Sequence, residues 1–412
     1  MSEYKYLIVG GGIAGTSAAE VIRQNDKSGT IAIVTDEPDR LYSRILLSKP
    51  NFFLERIPFD QIWLKDSSWY EQNSISLLAQ KKAVSLDLAS KKVLLDDGSA
   101  IGYEKLLLAP GGYPRKWEIS GGDKKGIFYL RTLTDARNII GAVKSAKKAF
   151  CIGGGFVSFE MCDMLRLAGI EVTLILRESY YWEPLLDRIS GELIEKALEK
   201  GGVKIFRNSE VAEIKGGEGA KSAILKTGEE LACDMVVVGI GLTPSINWIK
   251  SAGVAVNRGI LANEYLETNA QDVWAAGDAA EFKDSILEED VQLGNWVNAQ
   301  MQGRRAGFNM TGQIESFKLV SFYTTIGFGV SIAFVGDVRS IDGRKIIQRG
   351  PDEKGSYARI ILKDSEVVGA TLINRTQELA SISKIIEKNI KVESRESELS
   401  DLNFDLKKLV NG

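Results

Sequence analysis

The 412-residue chain contains no histidine and only three cysteines. The lack of imidazole excludes a histidine general base, a histidine-containing catalytic triad and any zinc site that needs a histidine ligand. The cysteines, Cys151, Cys162 and Cys233, form no CxxC or CxxxxC pair, which argues against a redox dithiol and suits a reducing compartment. Redox chemistry in this chain would therefore have to come from a bound cofactor.

Long apolar runs and strong charge are also lacking. No run approaches the ~18 residues expected of a membrane-spanning helix, and the opening "MSEYKYLIVG" enters a strand without the pattern of a secretory signal. The net charge is −3 and no basic run stands out, which argues against nucleic-acid binding. We therefore expect a globular, cytoplasmic protein of two or three domains, without a membrane span.

A βαβ pattern occurs twice. The segments "YLIVGGGIAG" (6–15) and "CIGGGFVSFE" (151–160) each contain an apolar strand and a glycine-rich turn that opens a helix, and another strand follows each helix. Short alternating strands between the two units predict a small antiparallel layer. From about residue 314 the chain becomes strand-rich and ends in helical patterns. The sequence thus predicts an α/β fold with two Rossmann-like dinucleotide-binding domains and a C-terminal α+β domain.

The first glycine turn has the spacing of a dinucleotide fingerprint. Gly10 permits the tight turn, Gly12 lets the backbone approach a pyrophosphate, and Gly15 lets the helix pack closely on the strand. Asp36 follows the next strand, where a carboxylate can accept the ribose hydroxyls. Further on, "GDAAEF" puts Asp278 at another strand end, within reach of the ribityl or phosphate groups of a flavin.

The second turn departs from the fingerprint at one position. Gly153 and Gly155 are present, but Ser158 stands in place of the third glycine. Because that glycine serves helix–strand packing and not phosphate contact, we expect the serine hydroxyl to bond to nearby backbone while the phosphate turn survives. The substitution weakens the fingerprint without removing its function.

The strand after the second turn bears on the choice of nicotinamide cofactor. Leu176 stands where NADH-selective proteins carry an acid, and Arg177 could bind a 2′-phosphate. Glu178 follows at once and could substitute for the missing acid. The pattern favours NADPH modestly and leaves NADH open.

Eight segments together carry a family resemblance, and they occur in order over roughly residues 4–375: "GGGIAG", "YSRILLSK", "LLLAPGG", "YLRTLTDA", "GGGFVSFE", "VVVGIGLTP", "AAGDAAEF" and "NWVNAQMQGRRAGFNM". They resemble the FAD-dependent pyridine nucleotide-disulfide oxidoreductase superfamily, and within it the ferredoxin/rubredoxin reductases and apoptosis-inducing-factor-like reductases. The resemblance implies a discontinuous FAD-binding domain (1–115 and 245–313), an NAD(P)H-binding domain (116–244) and an interface domain (314–412).

The resemblance also assigns side chains to the reaction. Arg44 and Lys49 would face the flavin and its pyrophosphate, Glu160 would pair with Lys49, and Trp296 would lie close to the flavin, so that Lys49, Glu160 and Trp296 are the candidate catalytic residues. Phe156 would cover the ring face or simply pack as a hydrophobe. Without the family, these would be surface cations, a carboxylate at a helix N-terminus and a buried tryptophan. The full predicted cofactor-binding set is Gly10, Gly12, Ile13, Ala14, Gly15, Asp36, Arg44, Lys49, Val84, Ala109, Arg131, Gly153, Gly155, Phe156, Val157, Arg177, Gly241, Gly277, Asp278 and Trp296.

The resemblance implies an enzyme that passes hydride from NAD(P)H to FAD and then electrons to an acceptor. That acceptor would be a small redox protein such as ferredoxin or rubredoxin, or a small molecule, and the chain would act as a monomer or homodimer without a metal. Alternatives are a redox-sensing interaction protein of the apoptosis-inducing-factor kind, or an NADH oxidase using oxygen. In "SFYTTIGFG", Thr324 and Thr325 stand where the family usually has an aromatic-Ser-Asp pattern, so the identity of the electron acceptor cannot be carried over from the family.

Overall fold

A computed structural model describes residues 2–411 of the chain, which form two units. The first unit contains residues 2–43, 60–113 and 243–321, and the second contains residues 44–59, 114–242 and 322–411. The short strands Gly112–Pro114 and Leu242–Pro244 lie where the chain passes from one unit to the other.

The first unit is built on a seven-stranded sheet. Its spatial order is Ile75–Leu78, Ile31–Val34, Ser2–Val9, Ala100–Leu108, Lys92–Leu95 and Ala83–Asp87, with Val273–Ala275 also paired to Ala100–Leu108. The strands around Ser2–Val9 are parallel and buried on both faces, which explains their nearly continuous apolar sequences. The predicted antiparallel layer is present as strands Lys92–Leu95 and Ala83–Asp87, which extend this same sheet and are not a separate layer.

Helices and one small sheet complete the first unit. Its helices are Ile13–Asn25, Ser67–Gln72, Asn247–Ser251 and Trp296–Met310, with 3-10 turns at Phe59–Ile62 and Gly277–Ala279. The small sheet consists of Ile260–Ala262, Ala280–Lys283 and Asp290–Val291. The apolar core lies under the main sheet, where buried side chains such as Leu106, Leu108 and Ile260 pack together.

The second unit repeats the parallel design. Its main sheet has the order Val203–Phe206, Glu171–Ile175, Lys148–Ile152, Met235–Val238 and Ile127–Phe128, all in parallel. A three-stranded antiparallel sheet accompanies it and consists of Val211–Lys215, Ser222–Leu225 and Glu230–Ala232. The helices beside these sheets are Pro50–Phe53, Leu133–Val143, Phe156–Leu167 and Arg188–Lys200, with a 3-10 turn at Arg44–Ser48.

The C-terminal part of the second unit is an antiparallel sheet followed by helices. The strand order is Phe322–Gly327, Val330–Gly336, Glu366–Ile373, Tyr357–Lys363 and Arg344–Arg349. The helices are Leu379–Glu387, Glu396–Ser400 and Lys407–Asn411, with a 3-10 turn at Thr376–Glu378. The predicted fold class is confirmed, since two sheets built around parallel strands and a C-terminal α+β region are present. The three domain boundaries stay a prediction.

Candidate active site

Two glycines of the first turn are required by close contacts with the backbone, and a third leaves open space beside the turn. Gly10 has φ +120°, and a Cβ there would lie 1.9 Å from the carbonyl oxygen of Ala109. A Cβ on Gly15 would lie 2.0 Å from the carbonyl oxygen of Gly10, so this glycine permits the close approach of helix and turn. A Cβ on Gly12 would meet nothing within 4 Å, which leaves its side of the turn open to a ligand. This is the arrangement that a bound pyrophosphate needs.

The helix Ile13–Asn25 presents its N-terminus at this turn. Within residues 2–411, no side chain caps that N-terminus, whose N-cap is Gly12, and no acidic residue lies in its first turn. Its first N–H groups and its dipole therefore favour an anionic ligand. A Cβ built on Gly277, which has φ +78°, would lie 3.2 Å from the Cβ of Ala14. The turn that carries Asp278 therefore lies beside the glycine turn. These residues fit the phosphates of a dinucleotide.

The acid predicted to hold the ribose is exposed but engaged. Asp36 accepts a hydrogen bond from the hydroxyl of Tyr113, a partner that the sequence did not indicate. The backbone N–H of Lys81 donates to the carbonyl of Thr35 at 2.9 Å, so the chain that enters the strand of Val84 runs beside Asp36. Val84 is itself exposed.

Trp296 is the half-buried first residue of the helix Trp296–Met310. That helix packs tightly on Ile13–Asn25, since a Cβ on Gly303 would lie 2.0 Å from the carbonyl oxygen of Ala14. A Cβ on Gly307 would likewise lie 2.8 Å from the carbonyl oxygen of Ala18, so the two helices run in the same direction. Trp296 therefore lies at the end of the helix pair where the glycine turn is found.

The second glycine turn lies in the second unit and has the same logic. Gly153 has φ +99°, and a Cβ there would lie 2.5 Å from the carbonyl oxygen of Gly239. Gly155 is open, since its nearest neighbour, the same oxygen, would be 4.0 Å away. Ser158 is buried, and its Oγ donates to the carbonyl of Ile152 at 3.2 Å. The serine hydroxyl thus bonds to the strand backbone beneath the helix.

The helix Phe156–Leu167 also begins without a side-chain cap within the described residues. The carbonyl of Gly155, its N-cap residue, accepts a hydrogen bond of 2.7 Å from the hydroxyl of Tyr181, which fixes the turn from below. Val157, a predicted cofactor-binding residue, lies in the first turn of this helix. Gly241, another such residue, has φ +99°, and its carbonyl accepts a hydrogen bond from the backbone N–H of Arg115. The uncapped N-terminus is suited to a second dinucleotide.

Phe156 packs among aromatic rings. Its ring centroid lies 3.8 Å from that of Tyr323, 4.3 Å from that of Trp182 and 5.1 Å from that of Phe334. The structure therefore presents Phe156 as a packed aromatic, which is one of its two predicted interpretations.

The structure brings Lys49 and Glu160 together. The Lys49 Nζ donates to Oε1 of Glu160, whose side chain is only 6% exposed. The same carboxylate accepts from the hydroxyls of Ser48, Thr325 (2.7 Å) and Tyr323 (3.1 Å). All five residues belong to the second unit. A buried carboxylate with this many donors is a fixed negative charge that orients the Lys49 ammonium.

Three of these partners were missed at the level of sequence. Ser48 directly precedes Lys49, and its hydroxyl was a signal that could have been used. Tyr323 and Thr325 alternate in a strand and so share one face, whereas Thr324 between them is exposed. Thr325 is buried and lies opposite the buried Ile332 of the next strand, a placement that the departure from the family pattern did not indicate.

The two predicted arginines near the flavin are neighbours. The Nη1 of Arg44 donates to the carbonyl of Arg131 at 2.5 Å. Arg131 immediately precedes the capping box formed by Thr132 and Asp135, which begins the helix Leu133–Val143. The helix start thus fixes the carbonyl that holds Arg44.

At the end of the strand Glu171–Ile175, Leu176 is buried and cannot contact a ribose. The side chain of Arg177 is 76% exposed, and its Nε donates to Oε1 of Glu178 at 2.6 Å. The hydrogen bond with Glu178 raises the pKa of Arg177. The strand end therefore presents the exposed Arg177 guanidinium, which is hydrogen-bonded to the neighbouring Glu178 carboxylate.

Residues 2–411 contain neither a membrane-spanning helix nor a cluster of metal ligands. No helix in this range is long and apolar enough to cross a membrane. No group of three or more Asp, Glu or Cys side chains in it could hold a metal ion. The thiols of Cys162 and Cys233 have pKa values raised by burial, and all three cysteines are buried.

Known proteins are similar to this chain in sequence and in fold. The profile of the pyridine nucleotide-disulphide oxidoreductase family matches residues 4–303, and that of the rubredoxin NAD+ reductase C-terminal domain matches residues 326–390. The chain is 30% identical to nitrite reductase [NAD(P)H] of Bacillus subtilis, over 98% of this chain and 49% of that protein. It is 29% identical to the ferredoxin–NAD(+) reductase component of the biphenyl dioxygenase system of Paraburkholderia xenovorans, over 98% and 97% of the two chains.

Among solved structures, the covalent putidaredoxin reductase–putidaredoxin complex matches with a TM-score of 0.92 at 25% identity and covers 100% of this chain and 99% of that one. Several relatives are longer, since the chain spans about half of the Bacillus nitrite reductase and 65% of the apoptosis-inducing factor 3 of Mus musculus and Homo sapiens. The match over most of its length shows that this chain belongs to the pyridine nucleotide-disulphide oxidoreductase family.

Proposed function

We propose that the chain is an FAD-dependent NAD(P)H:acceptor oxidoreductase that delivers electrons to a small redox protein of the ferredoxin or rubredoxin type. The observation that carries this proposal is the presence of two open glycine turns, one in each unit, each at an uncapped helix N-terminus. The names of the matched reductases and of the C-terminal domain family support the same activity. The cytoplasm is the proposed compartment, because free thiols persist there.

The first unit would hold FAD. The open side of Gly12 and the N-terminus of Ile13–Asn25 would bind the pyrophosphate, Asp36 would accept the ribose hydroxyls, and Asp278 would reach the ribityl chain or phosphates. When bound, FAD supplies the acceptance of a hydride and the release of electrons one at a time. The three domain ranges predicted from the sequence are part of this proposal.

The second unit would hold the nicotinamide cofactor on Gly153 and Gly155. Arg177 would favour the 2′-phosphate of NADPH. Because Arg177 is also hydrogen-bonded to Glu178, which competes with that phosphate, we expect the preference for NADPH to be modest. No side chain needs to act as acid or base. Lys49 would hold positive charge close to where the reduced flavin becomes anionic, and Glu160 would orient the Lys49 ammonium. The aromatic rings that pack around Phe156 would keep water out.

Anaerobic rapid mixing with NADPH or NADH tests this function. We expect bleaching of the flavin absorbance within seconds, followed by fast reoxidation by a ferredoxin or rubredoxin in a panel of carriers. Reoxidation that is fastest with oxygen would favour an oxidase, and a long-lived charge-transfer band with poor turnover would favour a redox sensor. A flavin that neither nicotinamide reduces would contradict the proposal.

The proposed FAD is non-covalent. No histidine is available for attachment, and the three cysteines are buried in the second unit. Acid precipitation of the yellow protein should therefore release the flavin into the supernatant, and colour that stays in the pellet would contradict this assignment.

A further inference from the structure

The Glu160 carboxylate is held from two separate parts of the chain. Lys49 and Ser48 reach it from the segment that contains "LLSK", with Lys49 on Oε1 and Ser48 on Oε2. Thr325 and Tyr323 reach Oε1 from the first strand of the antiparallel sheet, with Oγ1 at 2.7 Å and the phenolic oxygen at 3.1 Å. Oε1 therefore accepts three hydrogen bonds, two of which come from a strand far away in sequence.

The strand Phe322–Gly327 sorts its side chains between two faces. It pairs with Val330–Gly336 in antiparallel register, so that Tyr323 and Thr325 point to the same side. Thr325 is buried, whereas Ile326, which points to the opposite side, is 73% exposed. The two inward hydroxyls meet the helix that carries Glu160, and the outward side chains take no part in this contact.

The two hydroxyls can do what an ammonium cannot. A lysine ammonium is a point charge on a flexible stem, so it neutralises a carboxylate without fixing its orientation. A hydroxyl donor on a strand is held in place by the pairing of that strand, and two such donors restrict where Oε1 can lie. Burial and the Glu160 charge both raise the pKa of Tyr323, so its phenol stays protonated and remains a donor at neutral pH.

We propose that Thr325 and Tyr323 are positioning residues that hold Glu160 Oε1 and, through it, the Lys49 ammonium. Because the relevant activity is the reduction of flavin by NAD(P)H, this inference rests on the proposed function. The hydrogen-bonding role belongs to the hydroxyls and not to the packing of these side chains. Its consequence is that the C-terminal sheet contributes to the flavin-reducing step through its inward face.

Two substitutions of Thr325 separate hydrogen bonding from packing. Thr325→Val keeps the shape and removes the hydroxyl, whereas Thr325→Ser keeps the hydroxyl and removes the methyl group. We expect flavin reduction to slow about tenfold in Thr325→Val, as for the loss of one hydrogen bond to a charged group, and to stay within about twofold of wild type in Thr325→Ser. Thr324→Val, on the exposed face of the same strand, is the matched control and should change nothing.

A second measurement reports on Lys49 without turnover. Brief acetylation of the purified holoprotein with acetic anhydride, read at the Lys49 peptide by mass spectrometry, should label Lys49 several-fold faster in Thr325→Val than in Thr325→Ser. Tyr323→Phe should show the same increase in the rate of Lys49 acetylation. This variant replaces Thr325→Val in the test if Thr325→Val lowers the melting temperature. A wild-type protein that NAD(P)H cannot reduce would defeat the proposed function, while the labelling would still test the positioning.

The opposite ranking of the variants would overturn the inference. If Thr325→Ser is slower and more reactive at Lys49 than Thr325→Val, the side chain acts through its packing. If Thr325→Val and Tyr323→Phe both match wild type in labelling and reduction, the two hydroxyls do not position Lys49.

Discussion

A Cβ on Gly239 would lie 2.5 Å from the Oγ of Ser158, so these two residues share one small space beneath the second glycine turn. The hydroxyl cannot move away without losing its hydrogen bond to the carbonyl of Ile152. The next nearest atom to that Cβ, the backbone nitrogen of Ser158, lies 3.4 Å away, which is an ordinary contact. The serine in place of the third glycine therefore requires a glycine at position 239.

This relationship predicts a rescue. Gly239→Ala should destabilise the protein by about 1–3 kcal/mol through overpacking. Ser158→Gly should cost about 1–2 kcal/mol through a lost hydrogen bond and a glycine in a helix. The double variant should be less destabilised than the sum, because the clash disappears with the hydroxyl. Urea unfolding of the four proteins measures the coupling, and strictly additive losses would show that the two residues do not compete for space.

Lys49→Met should leave FAD bound and slow its reduction. An ammonium placed beside developing negative charge contributes on the order of a hundredfold in rate. The matched control is Lys144→Met, since Lys144 pairs with Glu55 on an exposed surface of the same unit. Rapid mixing with NADPH measures both variants. Equal rates for Lys49→Met and wild type would remove Lys49 from the reaction.

The choice of nicotinamide should respond to Arg177 and Glu178 in opposite directions. Arg177→Ala should raise the KM for NADPH by up to about tenfold and leave that for NADH nearly unchanged, since only NADPH carries the 2′-phosphate. Glu178→Gln should lower the KM for NADPH, because it releases the guanidinium from its 2.6 Å bond. Steady-state kinetics with both cofactors supply the internal control. Arg177→Ala effects of the same size on NADH and NADPH would mean that this strand end does not select.

Acid should weaken the C-terminal sheet through Asp337. Burial would raise the pKa of this carboxyl, but hydrogen bonds from Arg339 and Arg344 outweigh burial and hold its pKa at about 2. Since the folded pKa lies below the ordinary value of about 4, the stabilisation of about 2 kcal/mol is present above pH ~4 and is lost as the pH falls towards 2.

Unfolding free energies between pH 7 and pH 2.5 test this. Asp337→Asn should be less stable than wild type at neutral pH, and the gap should narrow below pH ~4. Asp342→Asn, in the exposed turn nearby, is the matched control and should follow wild type throughout. A gap between Asp337→Asn and wild type that is constant over the whole range would contradict the assignment.

The parts of the fold that could be predicted are those encoded locally. A strand, a glycine turn and a helix follow each other within a few residues, so the two βαβ units and the steric roles of Gly10 and Gly15 follow from spacing alone. The fold class was predicted correctly for the same reason, and the family was predicted correctly from the resemblance of eight segments to known reductases. The extension of the first sheet by Lys92–Leu95 was not predicted, because a hairpin pattern in the sequence does not indicate which strand the hairpin pairs with.

The site was predictable only in part, since several of its contacts depend on tertiary register. The hydroxyl of Tyr113 on Asp36 and that of Thr325 on Glu160 both come from strands distant in sequence. Alternation along "FYTTIG" shows that Tyr323 and Thr325 share a face, but only the pairing with Val330–Gly336 decides that this face is the inner one.

One buried side chain ties the end of the chain to the C-terminal sheet. Arg349, on the edge strand Arg344–Arg349, is almost fully buried, and its guanidinium donates to the carbonyls of Leu399 (3.2 Å) and Phe404 (2.7 Å). The same guanidinium also contacts Glu378 at 3.0 Å. If the tail peeled away, a buried cation would lose its acceptors, so local fraying of this terminus is disfavoured. Amide hydrogens around 399–404 should consequently exchange at rates set by opening of the sheet itself, and the last turns of the chain should join its cooperative unfolding.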